Sequence, residues 1–326
     1  MERLPEELLE RINAFRESRL LLSAIELNVF TALGEGATAG EAAERLGADP
    51  RATEMLLNAL AAVGMLTKRE GVFRNTPAAA RWLSDGSPES ARAALMHVVH
   101  LWSNWGRLSE CVRTGTSPRA GRRRTRQQTE AFIALMHYNA QARAPLVAEA
   151  IGLEGVRRVL DLGGGSGAYA IAFAQASPSL EVELLDLPAV LRIARRHVGA
   201  AGLAGRVRLR AGDLHQPDYG SGYDLVFLSA ICHMLGPEEN RAMLRKCYRA
   251  LAPAGRVAIQ DFILEPDKTA PRAAALFALN MLVGTRAGAS YSEPEYRAWL
   301  EEAGFSGVRR LHLPGPTGLM IGLRAG

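Results

Sequence analysis

Residues 159–167 read Val-Leu-Asp-Leu-Gly-Gly-Gly-Ser-Gly, an apolar run closed by a cluster of glycines. Glycine adopts backbone angles that other residues avoid and lets another group come close to the main chain. A helix starting just beyond would point its free N–H groups at whatever lies over the turn. From here the grammar is short apolar runs alternating with helical stretches. Strands are expected at Arg158–Leu162, Glu181–Asp186, Arg206–Ala211, Tyr223–Leu228, Gly255–Ile263 and Val308–Leu313. The intervening helices are expected at Ala168–Ala176, Ala189–Ala200, Glu238–Leu251 and Pro294–Ala303. Near-continuous apolar strands in strict alternation imply an α/β domain, a Rossmann-like doubly wound parallel sheet covered on both faces. Residues Gly318–Arg324 would add a final antiparallel strand.

The N-terminal part is different. Phe15, Leu22, Ile25, Val29 and Leu33 fall on one helical stripe within Arg11–Leu33, ended by Gly34 and Gly36. Two short helices, Met65-Leu66, a turn at Gly71 and Val72-Phe73 then trace helix, turn, helix and hairpin, the outline of a winged helix. Its second helix, Pro50–Val63, offers Arg51 and Thr53 and then mainly Glu54, Met55, Leu56 and Leu57. A helix reading base edges needs several polar or basic side chains, so this one reads as packed against protein. Further helices are expected over Glu89–Val112 and Thr129–Ile151. The organisation is a helical, winged-helix-like module over residues 1–115, a linker and connecting helix over 116–152, and a catalytic domain over 153–326.

The net charge of +5 raises the question of nucleic acid. The basic residues are dispersed, and the one dense run, Arg119–Arg126, has no interleaved aromatics, so it reads as a solvated loop. Cys111, Cys232 and Cys247 form no CxxC pair, which suits reduced thiols and argues against zinc. His97 and His100 lack companion ligands, and no metal is expected. There is neither a signal core nor an apolar span, so a cytoplasmic protein with no membrane association is expected.

Gly163, Gly165 and Ala168 also satisfy the dinucleotide pattern GxGxxA, and Asp186 after the second strand would suit any ribose-bearing ligand. Asp161 weighs against a pyrophosphate, because a carboxylate there favours a cation such as the amine and sulfonium of S-adenosylmethionine (SAM). Asp213, directly after the third strand, adds an acceptor for an adenine amino group. The fourth strand runs into Ser229-Ala230-Ile231-Cys232-His233, which offers a general base. Were the acceptor a phenol, near pKa 10, a histidine near 6.5 would make prior ionisation uphill by roughly 4–5 kcal/mol. Proton removal would therefore accompany attack.

The segments FRESRLLLSAIELNVF, LDLGGGSG, LLDLPAV, AGDL, ICH and GASYSEPEYRAWLEEAGF give the chain a resemblance to the SAM-dependent small-molecule O-methyltransferases. That family includes plant caffeate, flavonoid and acetylserotonin enzymes and bacterial polyketide-tailoring enzymes. The resemblance implies a homodimer built on interlocked helical modules and a small-molecule acceptor in a buried cleft. It implies that Gly163, Gly165, Asp186, Leu187, Asp213 and Leu214 line the SAM site, with Ser229 where members carry a lysine beside the adenine. His233 would be the base and Asp261 its acidic partner, while the family's second acid falls at Ser290. Met136, His137, Asn280 and Met281 would line the acceptor pocket. Members commonly read His-Asp-Trp where this chain has His233-Met234-Leu235. The altered partners leave carbon methylation, or a non-methylating hydroxylation or decarboxylation, as alternatives inside the family. Outside it stands a winged-helix, ligand-sensing DNA-binding regulator.

Overall fold

A computed structural model describes residues 3–326. Backbone contacts divide the chain into two compact units, Met1–Trp102 and Ser103–Gly326.

The first unit holds α1 (Glu6–Asn13), α2 (Phe15–Glu26), α3 (Val29–Leu33), β1 (Ala37–Thr38), α4 (Ala39–Leu46), α5 (Pro50–Ala62), β2 (Leu66–Arg69), β3 (Val72–Asn75), α6 (Pro77–Leu83) and most of α7 (Arg92–Trp105). The strands form a small sheet in the order β1-β3-β2 beside α4 and α5, which gives the winged-helix outline. The caps are strong: Thr38 with Glu41 makes a capping box for α4, and Asp49 caps α5, which begins at Pro50 as expected. Val29, Phe30, Leu33, Leu57, Leu60 and Phe73 form the core. The single helix expected over Arg11–Leu33 is three. Asn28 takes a left-handed conformation (φ 61°) that a helix cannot continue through. Phe15 is no core residue: it is 53% exposed, and with Leu8, Leu9 and Ile12 it forms an apolar stripe on helices α1 and α2.

In the second unit, α8 (Leu108–Thr114), α9 (Arg126–Gln141) and α10 (Ala144–Ile151) precede the sheet. Each expected long helix is interrupted, by Gly106 before α8 and by Pro145 in the first turn of α10, whose ring would clash with a preceding helical carbonyl. Then follow β4 (Arg158–Leu162), α11 (Ala168–Ala176), β5 (Glu181–Asp186), α12 (Pro188–Ala200), β6 (Val207–Ala211), β7 (Tyr223–Ser229), α13 (Pro237–Ala250), β8 (Leu251–Asp261), α14 (Arg272–Gly284), α15 (Glu293–Glu302), β9 (Ser306–His312) and β10 (Gly318–Leu323). The sheet order is β6-β5-β4-β7-β8-β10-β9. The strands from β4 to β8 are parallel, and β10 runs antiparallel to β8 and β9.

The sheet is covered on both faces. Along β7, Leu225 and Phe227 join a core with α10, α11 and α12, while Val226 and Leu228 join one with α13 and α15. Both faces of the strand are dry, which is why its sequence is apolar without alternation. The chain order reverses between β4 and β7, so their carboxyl ends open a crevice at the switch point. In the Arg119–Arg126 loop, residues 121–126 are exposed, as a solvated loop requires, while Arg119 and Ala120 are half-buried. Arg119 bonds Ser103 at 2.8 Å, and the Arg124 guanidinium lies 4.1 Å from the centre of the Phe132 ring.

Candidate active site

At the end of β4, Gly163, Gly165 and Gly167 all have positive φ, at 72°, 60° and 83°. A Cβ on Gly164 would come within 2.5 Å of Asp161 Oδ2 and 2.7 Å of Leu184. On Gly165 it would enter space where only Ile133 approaches, at 4.0 Å. The loop is therefore packed from below and open above. Asp186 ends β5 and accepts two amides, Gly165 N–H at 2.8 Å and Leu187 N–H at 2.6 Å. Burial pushes its carboxyl up, opposed by those two amides.

Asp161 lies under the loop, 1% exposed, and among the described residues neither of its oxygens has a partner of ordinary hydrogen-bond length. Burial first, and the charge of Asp186 second, push it up to about 7, with the Ala170 amide opposing. A buried carboxylate left in this state is costly. A cationic group resting on the loop would stabilise it across a layer that has no side chains. The donor set therefore fits the ammonium and sulfonium of SAM, and it fits a pyrophosphate poorly.

At the end of β6, Asp213 is exposed and accepts the His215 amide at 2.8 Å. The Leu214 carbonyl is held from two directions, by Tyr219 Oη–H at 2.6 Å and Lys246 Nζ at 2.7 Å. Leu187, 49% exposed, opens α12. Asp161, Asp186 and Asp213 thus stand at the carboxyl ends of three adjacent strands.

Beyond β7 the chain turns through Ala230 (φ 59°) into a short 3-10 turn, Cys232–Met234. His233 is 5% exposed there. Its Nδ1 meets Asp261 Oδ1 at 2.6 Å, and its backbone N–H reaches Asp261 Oδ2 at 3.2 Å. Because a carboxylate only accepts, the network assigns the proton to Nδ1 and leaves Nε2 with a lone pair. Asp261 also accepts the Phe262 amide at 2.8 Å and the Tyr296 hydroxyl at 3.1 Å. Phe277 packs edge-on against the imidazole at 4.7 Å and stacks on Phe262 at 3.9 Å. The aspartate therefore reaches the histidine despite being shorter than a glutamate. Ser290 does not join the pair: its hydroxyl donates to the Ala274 carbonyl at 2.9 Å. Ser229 is tied to Gln260 at 2.8 Å.

The remaining candidates lie on α9 and α14. His137 Nδ1 is 2.9 Å from Ser166 Oγ in the glycine loop, and its ring stacks on His197 at 3.8 Å. Burial, then the neighbouring His197, lowers His137 to about 4. Asn280, one turn beyond Phe277, accepts from Trp105 Nε1 at 3.0 Å. Met136 is partly buried, and Met281 is 8% exposed. Sequence reading missed Ser166, Phe262, Phe277 and Tyr296, whereas Trp105 stands out in the sequence beside Trp102 as a packing residue or pocket wall. A helical reading of SEPEYRAWL does put Tyr296, Trp299 and Leu300 on one buried face, but nothing in it says where a hydroxyl ends. A separate cavity of about 620 Å³ between α10 and α11 shares none of these residues.

Fold and site together define a Rossmann-like, SAM-dependent methyltransferase. The O-methyltransferase domain model matches residues 113–306, and the O-methyltransferase dimerisation domain model matches residues 9–85. The chain belongs to this O-methyltransferase family. It is 37% identical to the 3-hydroxy-5-methyl-1-naphthoate 3-O-methyltransferase of Streptomyces sahachiroi, over 95% of this chain and 92% of that one. It is 31% identical to the tetracenomycin polyketide synthesis 8-O-methyl transferase of Streptomyces glaucescens, over 98% and 96%. The solved structure of PigF with S-adenosylhomocysteine (SAH) superposes with a TM-score of 0.91 at 29% identity, covering 99% of this chain and 100% of that one.

Proposed function

We propose that this enzyme methylates a phenolic hydroxyl of a flat, polyketide-like aromatic acceptor, with His233 as general base. The observation that carries the reading is the 2.6 Å contact between His233 Nδ1 and Asp261 Oδ1, which leaves Nε2 as the proton acceptor. Bound SAM supplies a methyl group on a sulfonium, from which the thioether leaves readily. The chain must then align the acceptor and accept its proton. Asp261 holds the imidazole in one tautomer and stabilises the imidazolium that forms. Phe262 and Phe277 make an apolar wall beside it. Asp161, Gly163, Gly165, Asp186, Leu187, Asp213, Leu214 and Ser229 are assigned to the cofactor, and Met136, His137, Asn280 and Met281 to the acceptor. The naphthoate and tetracenomycin activities of the two relatives support the acceptor class.

The chain carries a dimerisation domain, and we assign the homodimer contact in part to the exposed stripe of Leu8, Leu9, Ile12 and Phe15. The helical module over 1–115, the connection over 116–152 and the catalytic domain over 153–326 follow from the same reading. Three buried, reduced cysteines support a cytoplasmic setting, and among the described residues no helix is long and apolar enough to cross a membrane.

The test is transfer of label from methyl-labelled SAM into a panel of hydroxynaphthoates and other phenolic polyketides, read by mass spectrometry. Label on oxygen supports the proposal. Label on carbon, or none with SAM bound, overturns it.

A further inference from the structure

We propose that Tyr296 is a positioning residue for the His233–Asp261 pair, its hydroxyl holding the Asp261 carboxylate in a chain where the family pattern's second acid is replaced by Ser290. This rests on the reading of His233 as the base.

Asp261 is 1% exposed and its carboxylate accepts from four directions. Oδ1 takes His233 Nδ1 at 2.6 Å and the Phe262 amide at 2.8 Å, and Oδ2 takes the His233 amide at 3.2 Å and the Tyr296 hydroxyl at 3.1 Å. Two of these are backbone amides, and a third is the imidazole whose orientation is at issue. Only Tyr296 brings a side chain from a separate helix, α15, to fix the carboxylate plane independently of the turn that carries His233. Ser290, the position of the family's second acid, is spent on the Ala274 carbonyl.

The other titratable groups facing this pair are Cys232 and Tyr291, with Glu239 and Glu295 farther out. Burial pushes the Cys232 thiol and both phenols up, so none carries charge in the neutral range. Glu239 accepts the Gly236 amide at the start of α13, and Glu295 accepts the Ser292 amide at the start of α15. Asp261 is thus the acidic group that the Tyr296 hydroxyl addresses directly. The hydroxyl hydrogen disperses the carboxylate's negative charge. Without it, Asp261 holds a protonated imidazole more strongly, and protonation of His233 moves to higher pH.

The experiment is ¹⁵N NMR titration of the histidine rings in the full-length, SAH-bound enzyme, with His233→Gln assigning the resonance. Tyr296→Phe is compared with Tyr291→Phe, an equally enclosed phenol whose hydroxyl goes to the Leu235 carbonyl at 2.6 Å. The expected result is an upward move of the His233 titration by about 0.5–1 pH unit in Tyr296→Phe, and none in Tyr291→Phe. No move in Tyr296→Phe, or the same move in both, overturns the proposal. The readout involves no methyl transfer, so it stays separate from the base assignment, which fails if the His233→Gln enzyme retains full turnover.

Discussion

Asp186 and Gly165 are joined by a 2.8 Å hydrogen bond from amide to carboxylate, so the residue that closes β5 also sets the loop that closes β4. Asp186→Ala removes this tie together with the one to Leu187. Loss of a charged hydrogen-bond partner costs about 1–3 kcal/mol. We expect SAH affinity by calorimetry to fall about tenfold to a hundredfold. Unchanged affinity would remove Asp186 from the cofactor site.

His233→Ala should lower turnover by about 10²–10⁴-fold, the usual contribution of a positioned general base. SAH affinity should stay close to that of the parent enzyme, because the imidazole is assigned to the acceptor side. Turnover within a few-fold of the parent would show that another group takes the proton.

Asp161 makes the unliganded enzyme sensitive to pH in an unusual direction. Its carboxyl is raised to about 7 from an ordinary value near 4, so between these limits the folded state holds a proton that the unfolded chain gives up. Its contribution to stability is complete below about pH 4 and is lost as pH rises through about 7. Asp161→Asn should therefore melt higher than the parent above pH 7, with the gap closing towards pH 4. In the parent, binding of cationic SAM below pH 7 should release a proton. Calorimetry in buffers of different ionisation enthalpy measures that release, and none would contradict a charge link between loop and ligand.

Gly164→Ala puts a methyl group 2.5 Å from Asp161 Oδ2 and 2.7 Å from Leu184. Overpacking of this kind costs about 1–3 kcal/mol, and here it must also lift the loop. Chemical denaturation should show the loss, with SAH binding weakened in parallel. A variant with parental stability and affinity would mean that the loop yields freely.

The stripe on α1 and α2 predicts a surface-specific effect on assembly. Leu8 and Ile12 are 44% and 57% exposed in the single chain, on a helix with no buried residue. Replacing both with Glu should shift the protein towards monomer in sedimentation experiments while leaving the melting of the second unit intact. A dimer of unchanged stability would place the contact elsewhere.

The sheet was legible because its strands are apolar on both faces: Arg158–Leu162 and Glu181–Asp186 fall where the apolar runs predict them. The expected start of β8 at Gly255 came late, because the strand begins at Leu251 through Ala-Pro-Ala, a stretch with no strand pattern. The glycine loop and the three aspartates could be read from position, since each lies at or just beyond the carboxyl end of a strand. His137 and Ser166 are 29 residues apart, Asp261 and Tyr296 are 35, and Trp105 and Asn280 are 175. No periodicity encodes such meetings. They depend on how separate elements pack and which way their side chains point, which the fold alone decides.

β8 has partners on both sides, β7 and β10, and Asp261 pairs with Gly318 at its end. Amides in such an interior strand exchange with solvent only when a large part of the domain opens. The carboxylate that orients the imidazole is therefore anchored in the slowest-breathing layer of the protein. Local fraying of exposed segments need not disturb that anchor.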